Sequence, residues 1–249
     1  MRKRLLSVLS ALTVLLTSVS LFVPAAYADS KDEFTYTVYL NTMRAYRSGD
    51  KVIGGVNTVN VIVEYDPSEL ELISNFSSDK QSIFPKLKGS AVVNNEPGRL
   101  GFNALGITPF VFNKDSDILA QLSFRYKKAS HTRARVTARI TELATETAGG
   151  YVQLIDHDVS TRDGIRVMTE RTPDSASGLL LGDADFDGSV TISDATSIRR
   201  RVLWLANGDF VAGAADVDKD GSVTVVDATY IQRYVTRLSS RSGIGKKIT

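Results

Sequence analysis

The stretch GDADFDGSVTISDATSIRR, Gly182 to Arg200, sets aspartates at Asp183, Asp185 and Asp187, then Gly188, then a fourth aspartate at Asp194. Like charges packed this closely repel one another, so the crowding needs a compensating partner. The pattern returns at an offset of 33 residues as Asp216, Asp218, Asp220, Gly221 and Asp227 in ADVDKDGSVTVVDATYIQR. Between Asp183–Leu205 and Asp216–Leu238, 14 of 23 positions are identical. Two copies are fewer than the three or so that a solenoid needs to bury its faces.

The identities fall where a hard dication would need them. Acids stand at the first, third, fifth and twelfth places of each copy, and glycine at the sixth, where a tight loop turns sharply and brings alternate side chains inward. Seventh-place Ser189 and Ser222 offer backbone carbonyls, and ninth-place Thr191 and Thr224 a hydroxyl or a bridging water. The spacing therefore predicts one Ca²⁺ per loop, two in all, held by Asp183, Asp185, Asp187, Ser189, Thr191 and Asp194, and by Asp216, Asp218, Asp220, Ser222, Thr224 and Asp227.

Each loop leads into one amphipathic helix. Ala195, Ile198, Val202 and Leu205 form the first apolar stripe, and Ala228, Ile231, Val235 and Leu238 the second. Neither stripe is buried alone, so the helices are expected to pack on each other, with Asn207-Gly208 stopping the first. The segments before the loops, SASGLLLG and GDFVAGAA, are too short or too rich in Gly and Ala for the entering helix of an ordinary EF-hand. The twelfth place is Asp rather than Glu.

Taken together, the duplicated loop-helix, its ligand spacing and its basic helix residues resemble a type I dockerin over about Leu179 to Leu238. That resemblance implies a small α unit that folds around two Ca²⁺ and docks onto the cohesin of a scaffold protein, as in cellulosomes. It further implies a partner-binding face made of Ile192, Ser193, Arg199 and Arg200 in one copy and Val225, Val226, Gln232 and Arg233 in the other. The two sets differ, Ser193 against Val226 and Arg199 against Gln232, so docking in two opposed orientations stays open alongside a single one.

Ahead of this unit the pattern is different. FTYTVYL, VNTVNVIVEY, ILAQLSFRYK and RARVTARITEL alternate apolar and polar residues and are rich in Val, Ile, Thr, Phe and Tyr, with DPSE, NNEPG, NKDSD and TAGG as turns. This spacing predicts an antiparallel sandwich of eight or nine strands, making the whole chain mainly β with a small α module. RTPDSASG reads as a linker. The expected organisation is a signal peptide over 1–28, a sandwich over 29–170, a linker over 171–178, the loop-helix unit over 179–240 and a loose tail over 241–249.

GDKVIGGVNTVNVIVEYDPSELELI, Gly49 to Ile73, and SDILAQLSFRYK, Ser116 to Lys127, resemble runs of cohesin modules. The sandwich would then be a cohesin-like jelly roll that receives a dockerin-bearing enzyme or binding protein, and the chain would be an adaptor scaffoldin. A glycan-binding sandwich is the competing reading. Residues 29 to 178 contain no Trp, which leaves Tyr36, Tyr39, Tyr46 and Tyr151 as candidate sugar platforms, although most of them sit in strand-like runs, where packing in the core is the simpler use.

Hydrolysis of a glycoside needs two carboxylates flanking the bond, about 5 to 10 Å apart. Glu64, Asp66, Glu69 and Glu71 alternate on strand-like runs, a spacing that more simply gives a solvated face. His131 and His157 lie in no metal motif, and no nucleophile elbow, P-loop or dinucleotide fingerprint occurs. The reading is non-catalytic.

The first residues set the compartment. Arg2, Lys3 and Arg4 precede an apolar run from Leu5 to Val23 and Ala26-Tyr27-Ala28, the layout of a secretory signal peptide cleaved after Ala28; an uncleaved anchor is the alternative. Cleavage removes three positive charges and no negative one, taking the formal charge from +2 to −1. The basic balance therefore belongs to the discarded segment and argues against nucleic acid as a partner. With no cysteine in the chain, disulfides, thiol nucleophiles and lipoprotein anchoring are excluded. The expected location is extracellular, on a cell-surface cellulosome.

Overall fold

A computed structural model describes residues 33–42, 47–48, 51–52, 55–114, 116–127, 134–147, 150–156, 166–172, 179–203 and 208–248. The proposed signal peptide, Tyr46, both histidines, most of the linker, Trp204, Leu205 and Asn207 lie outside these residues. Among the described residues no helix is long and apolar enough to cross a membrane.

Among the described residues, eleven strands precede the helical part. They are β1 (Glu33–Asn41), β2 (Arg47–Ser48), β3 (Lys51–Val52), β4 (Gly55–Tyr65), β5 (Leu70–Leu72), β6 (Val92–Glu96), β7 (Arg99–Val111), β8 (Ile118–Tyr126), β9 (Val136–Thr147), β10 (Gly150–Asp156) and β11 (Arg166–Arg171), with the one-turn α1 (Lys80–Ile83) after β5. Nine of them make two facing antiparallel sheets, β11-β1-β8-β5 and β10-β9-β4-β7-β6, while β2 and β3 form a small ribbon. The sandwich is thus antiparallel, with nine strands among the described residues.

Alternation explains the core. On β4, Val59, Val61 and Val63 are buried while Asn60 and Ile62 are half-buried and Glu64 is exposed, the period of two that a strand imposes. Phe34 stacks on Phe124 at 5.4 Å between ring centroids, Tyr65 meets Phe124 edge-on at 5.2 Å, and Phe84 closes on Phe102 at 4.7 Å. These rings join the sheets through the middle of the sandwich.

The second part holds α2 (Ile192–Val202), the one-turn α3 (Ala212–Ala215) and α4 (Val225–Val235). As expected from their stripes, α2 and α4 pack together, burying Ala195, Ile198, Ala228 and Ile231 completely. The stripe of the second helix ends early, however: the helix stops at Val235, and Val235 and Leu238 are exposed.

Both helices start alike. The Thr191 hydroxyl accepts from the Ser193 backbone N–H at 3.1 Å, and the Asp194 carboxylate accepts from the Thr191 N–H at 2.7 Å; Thr224 and Asp227 do the same at 3.1 and 2.9 Å. This reciprocal cap satisfies donors the helix leaves unpaired. Thr224→Ala is expected to cost about 1 kcal/mol, read as a lower midpoint for the helical part in thermal unfolding with the sandwich transition unmoved.

Two boundaries differ from expectation. Strand β11 runs through Arg171, one residue into the expected linker. The last residues are not a loose tail: Leu180 bridges Lys247, Ile248 N–H donates to Leu179 O at 2.8 Å, and Ile244 is buried with Leu181. Apolar Ile244 and Ile248 have a core to enter, which composition alone does not reveal.

The helical part also closes an edge of the sandwich. The Arg171 backbone N–H donates to Phe210 O at 2.7 Å, the Thr169 hydroxyl to Gly208 O at 2.6 Å, and the Val136 N–H to Asp209 Oδ2 at 2.9 Å. Edge strand β11 thereby gains a covering segment. Burial pushes the Asp209 carboxyl up to about 6 despite the opposing pull of Arg171, since a carboxylate held away from water is disfavoured.

Candidate functional site

Each acidic loop turns in the left-handed region twice. Gly188 and Gly221 at the sixth place have φ +81° and +88°, and fourth-place Phe186 and Lys219 have φ 57° and 59°. The glycines are the places where a Cβ is strained; the fourth-place turns were not legible as such, since Phe and Lys are ordinary residues for which positive φ is uncommon.

These turns gather the carboxylates. In the first loop, oxygens of Asp183, Asp185 and Asp187 lie within 4.8 Å of one another; in the second, those of Asp216, Asp218 and Asp227 do so. Asp194 stands outside the first group and Asp220 outside the second. Asp194 instead faces inward, fully buried, with Oδ1 accepting from the Asp185 N–H at 3.2 Å and Oδ2 engaged in the helix cap. Its carboxyl is pushed up to about 7, first by burial and then by the charges of Asp185 and Asp183.

Seventh-place Ser189 and Ser222 donate their N–H groups to Asp187 and Asp220, at 2.9 and 2.8 Å. Ninth-place Thr191 and Thr224 are occupied as caps. A carboxylate trio of this kind fits a hard cation by its chemistry: oxygen donors only, converging from alternate residues, and mutually repulsive without a charge between them.

The helices present their exposed sides together. Arg199 Nη2 donates to Gln232 Oε1 at 2.7 Å across α2 and α4. Ile192, Val225 and Val226 are 53%, 54% and 47% exposed, large values for apolar side chains, and Ser193, Arg200 and Arg233 are exposed as well. All eight residues of the expected docking set therefore sit at the surface of the helix pair, Gln232 half-buried.

The dockerin type I domain model matches residues 181–236. The chain carries a C-terminal dockerin. Dockerins bind calcium and are non-catalytic interaction modules. No curated protein matches the chain.

Among solved structures, the chain is similar to the seventh ScaB type I cohesin from Pseudobacteroides cellulosolvens, at 16% identity and TM-score 0.38, over 52% of this chain and 79% of that one. It is also similar to the sixth cohesin of scaffoldin B from Acetivibrio cellulolyticus, solved with a dockerin, at 16% identity and TM-score 0.31, over 49% and 92%. A third is a type I cohesin–dockerin complex from Clostridium thermocellum, at 13% identity and TM-score 0.30, over 49% and 92%.

On the sandwich, the proposed sugar platforms fare poorly. Tyr36 is fully buried in the core and Tyr39 is half-buried, while Tyr46 and the side chain of Tyr151 lie outside what is described. The acids also have structural work: Glu64 faces Arg139 at 3.8 Å, Glu71 faces Arg125 at 3.7 Å, and Asp66 accepts from the Ser68 N–H at 2.8 Å in the turn after β4. What alternation did not reveal is an exposed apolar group on β7, where Leu105, Ile107 and Val111 face outward.

Proposed function

We propose that the chain is a secreted, non-catalytic adaptor of cellulosome type. Its dockerin docks in a calcium-dependent way onto the cohesin of a scaffold protein, and its sandwich receives a dockerin-bearing protein. The observation that carries this reading is the dockerin's pair of acidic loops feeding two helices whose exposed side bears Ile192, Val225 and Val226 among arginines.

Two calcium ions are proposed, one per loop, with Asp183, Asp185, Asp187 and Asp194 holding the first and Asp216, Asp218, Asp220 and Asp227 the second. The serine carbonyls complete each set, and the threonines enter through a bridging water, their hydroxyls being spent on the helices. Bound calcium supplies the positive charge that lets four carboxylates share one loop. Binding is thus folding free energy, and the docking helices are presented only when the loops are closed.

The receiving role of the sandwich is supported by where its cohesin-resembling runs fall: Gly49 to Ile73 across β4, the Tyr65-Asp66-Pro67 turn and β5, and Ser116 to Lys127 along β8. The outward group of Leu105, Ile107 and Val111 on β7 is the proposed receiving surface, because apolar side chains in water gain by being covered.

The test is a titration of the immobilised full chain with a purified type I cohesin and, separately, a type I dockerin, in millimolar calcium and in EDTA. Both probes are expected to bind in calcium and neither in EDTA, because each contact includes a dockerin whose loops close on the ion. Leu105→Asp with Ile107→Asp should weaken the dockerin probe about 100-fold or more and leave the cohesin probe alone. Retention on insoluble polysaccharide with the cohesin probe bound and the dockerin probe unbound would replace the adaptor by a dockerin-tethered glycan binder.

A further inference from the structure

We infer that the sandwich is the standing partner of the dockerin's first repeat, and that this contact leaves the second repeat as the side presented to an incoming protein. The inference rests on the docking reading above and sharpens it from two open orientations to one.

The contact is a built one. Arg171 and Asp209 form an ion pair at 3.4 Å with both side chains 1% exposed. Arg171 Nη1 donates to Ala134 O at 3.0 Å and Nη2 to the Tyr126 hydroxyl at 2.5 Å. Its guanidinium lies between two rings, 3.5 Å from Phe34 of the sandwich and 4.3 Å from Phe186 of the first acidic loop. Modules that merely hang on a linker would leave such charges in water, since desolvating both is costly unless hydrogen bonds and packing meet them. At the end of α2, Arg201 pairs with Glu170 of β11 at 2.9 Å.

The repeat itself shows that this contact is one-sided. Position for position, Phe186 answers to Lys219 and Arg201 to Tyr234. Phe186 is buried against Arg171 whereas Lys219 and Tyr234 are exposed. Two of the places where the copies diverge are therefore places where the sandwich touches the first copy.

Two more divergences line the cleft beside it. Ser193 and Ser197, with Arg200, face Arg135 and Thr137 of the sandwich across a cavity of about 280 Å³. The second copy has Val226 and Tyr230 there, beside Arg233 and the short return at Ser239 to Arg241. Ser193 and Arg200 of the first docking set thus have the sandwich opposite them, so a partner lying along α2 meets the chain's own β9 at Thr137. Along α4 it meets Val225, Val226 and Arg233, flanked by the chain's own short return at Ser239 to Arg241 and not by the sandwich.

The test uses the full chain, calcium and a purified type I cohesin as probe. Val226→Asp with Arg233→Glu is expected to lower affinity about 100-fold. In a background carrying Arg171→Ala and Asp209→Ala, which removes both buried charges together and frees the first repeat, the same pair should lower it less than about 5-fold, because the other orientation opens. No loss in the native background, or equal loss in both, overturns the inference.

Hydrogen exchange reads the contact without any partner. The Val136 and Arg171 amides should exchange slowly in the native chain and quickly in the Arg171→Ala, Asp209→Ala background. Fast exchange in the native chain defeats the standing contact. Slow exchange with no cohesin bound defeats the docking reading, and the choice of orientation with it.

Discussion

Removing calcium is expected to cost each loop-helix unit about 4 kcal/mol when the ion had been present at a thousand times its dissociation constant. The reason is electrostatic. Asp183, Asp185 and Asp187 converge within 4.8 Å, as do Asp216, Asp218 and Asp227, and burial with neighbouring charge already pushes the Asp194 carboxyl up to about 7. Without the ion the loop relieves itself only by protonating or opening. Opening detaches Thr191, Asp194, Thr224 and Asp227 from their capping positions, so both helices lose their starts.

Circular dichroism with EDTA should therefore show loss of helical signal with the strand signal retained. In calorimetry, Asp183→Ala and Asp216→Ala should each reduce stoichiometry by one ion. A helical melting profile indifferent to chelator, or unchanged stoichiometry in both variants, rejects the calcium loops. The second repeat should open first. The first is also held at Phe186, which lies on Arg171 of the sandwich, a support that exposed Lys219 lacks.

Phe124→Ala is expected to destabilise the sandwich by about 3 to 5 kcal/mol. The Phe124 ring is fully buried and touches Phe34 in a stacked pair and Tyr65 edge-on, so it joins β8 to both β1 and the opposite sheet at β4. Truncation removes apolar area and leaves a void that rings on three strands do not refill without moving. Denaturant titration of the isolated variant should show the midpoint falling at nearly constant slope. A change below about 1 kcal/mol would mean that the two sheets are not joined through these rings. Since Phe34 also underlies Arg171, the variant should loosen the dockerin contact as well.

Much of this molecule is written locally. A carboxylate on every second residue, a glycine at the sixth place and a Thr-x-x-Asp start each act within a dozen residues, so loops, helices and their duplication are legible in the sequence of 182–238 by itself. Period-two alternation likewise makes β4 and β8 legible as half-buried strands. Tyr36 sits in a strand-like run, where core packing is the simpler reading, and the structure buries it. Locality also explains what was misread.

Residues 241–248 read as loose because Ile244 and Ile248 are isolated apolar residues in a polar segment. Only a preformed surface at Leu179 and Leu181 makes them core. Arg171 and Asp209, 38 residues apart and each unremarkable in sequence, become a buried pair solely because two modules meet at the edge of β11. The chain by itself determined the paired acidic loops, the helix pair and the sandwich class, because those follow from spacing and short-range hydrogen bonding. The tertiary structure alone decided which repeat is held against the sandwich, because burial of a charged pair depends on partners that no local pattern brings together.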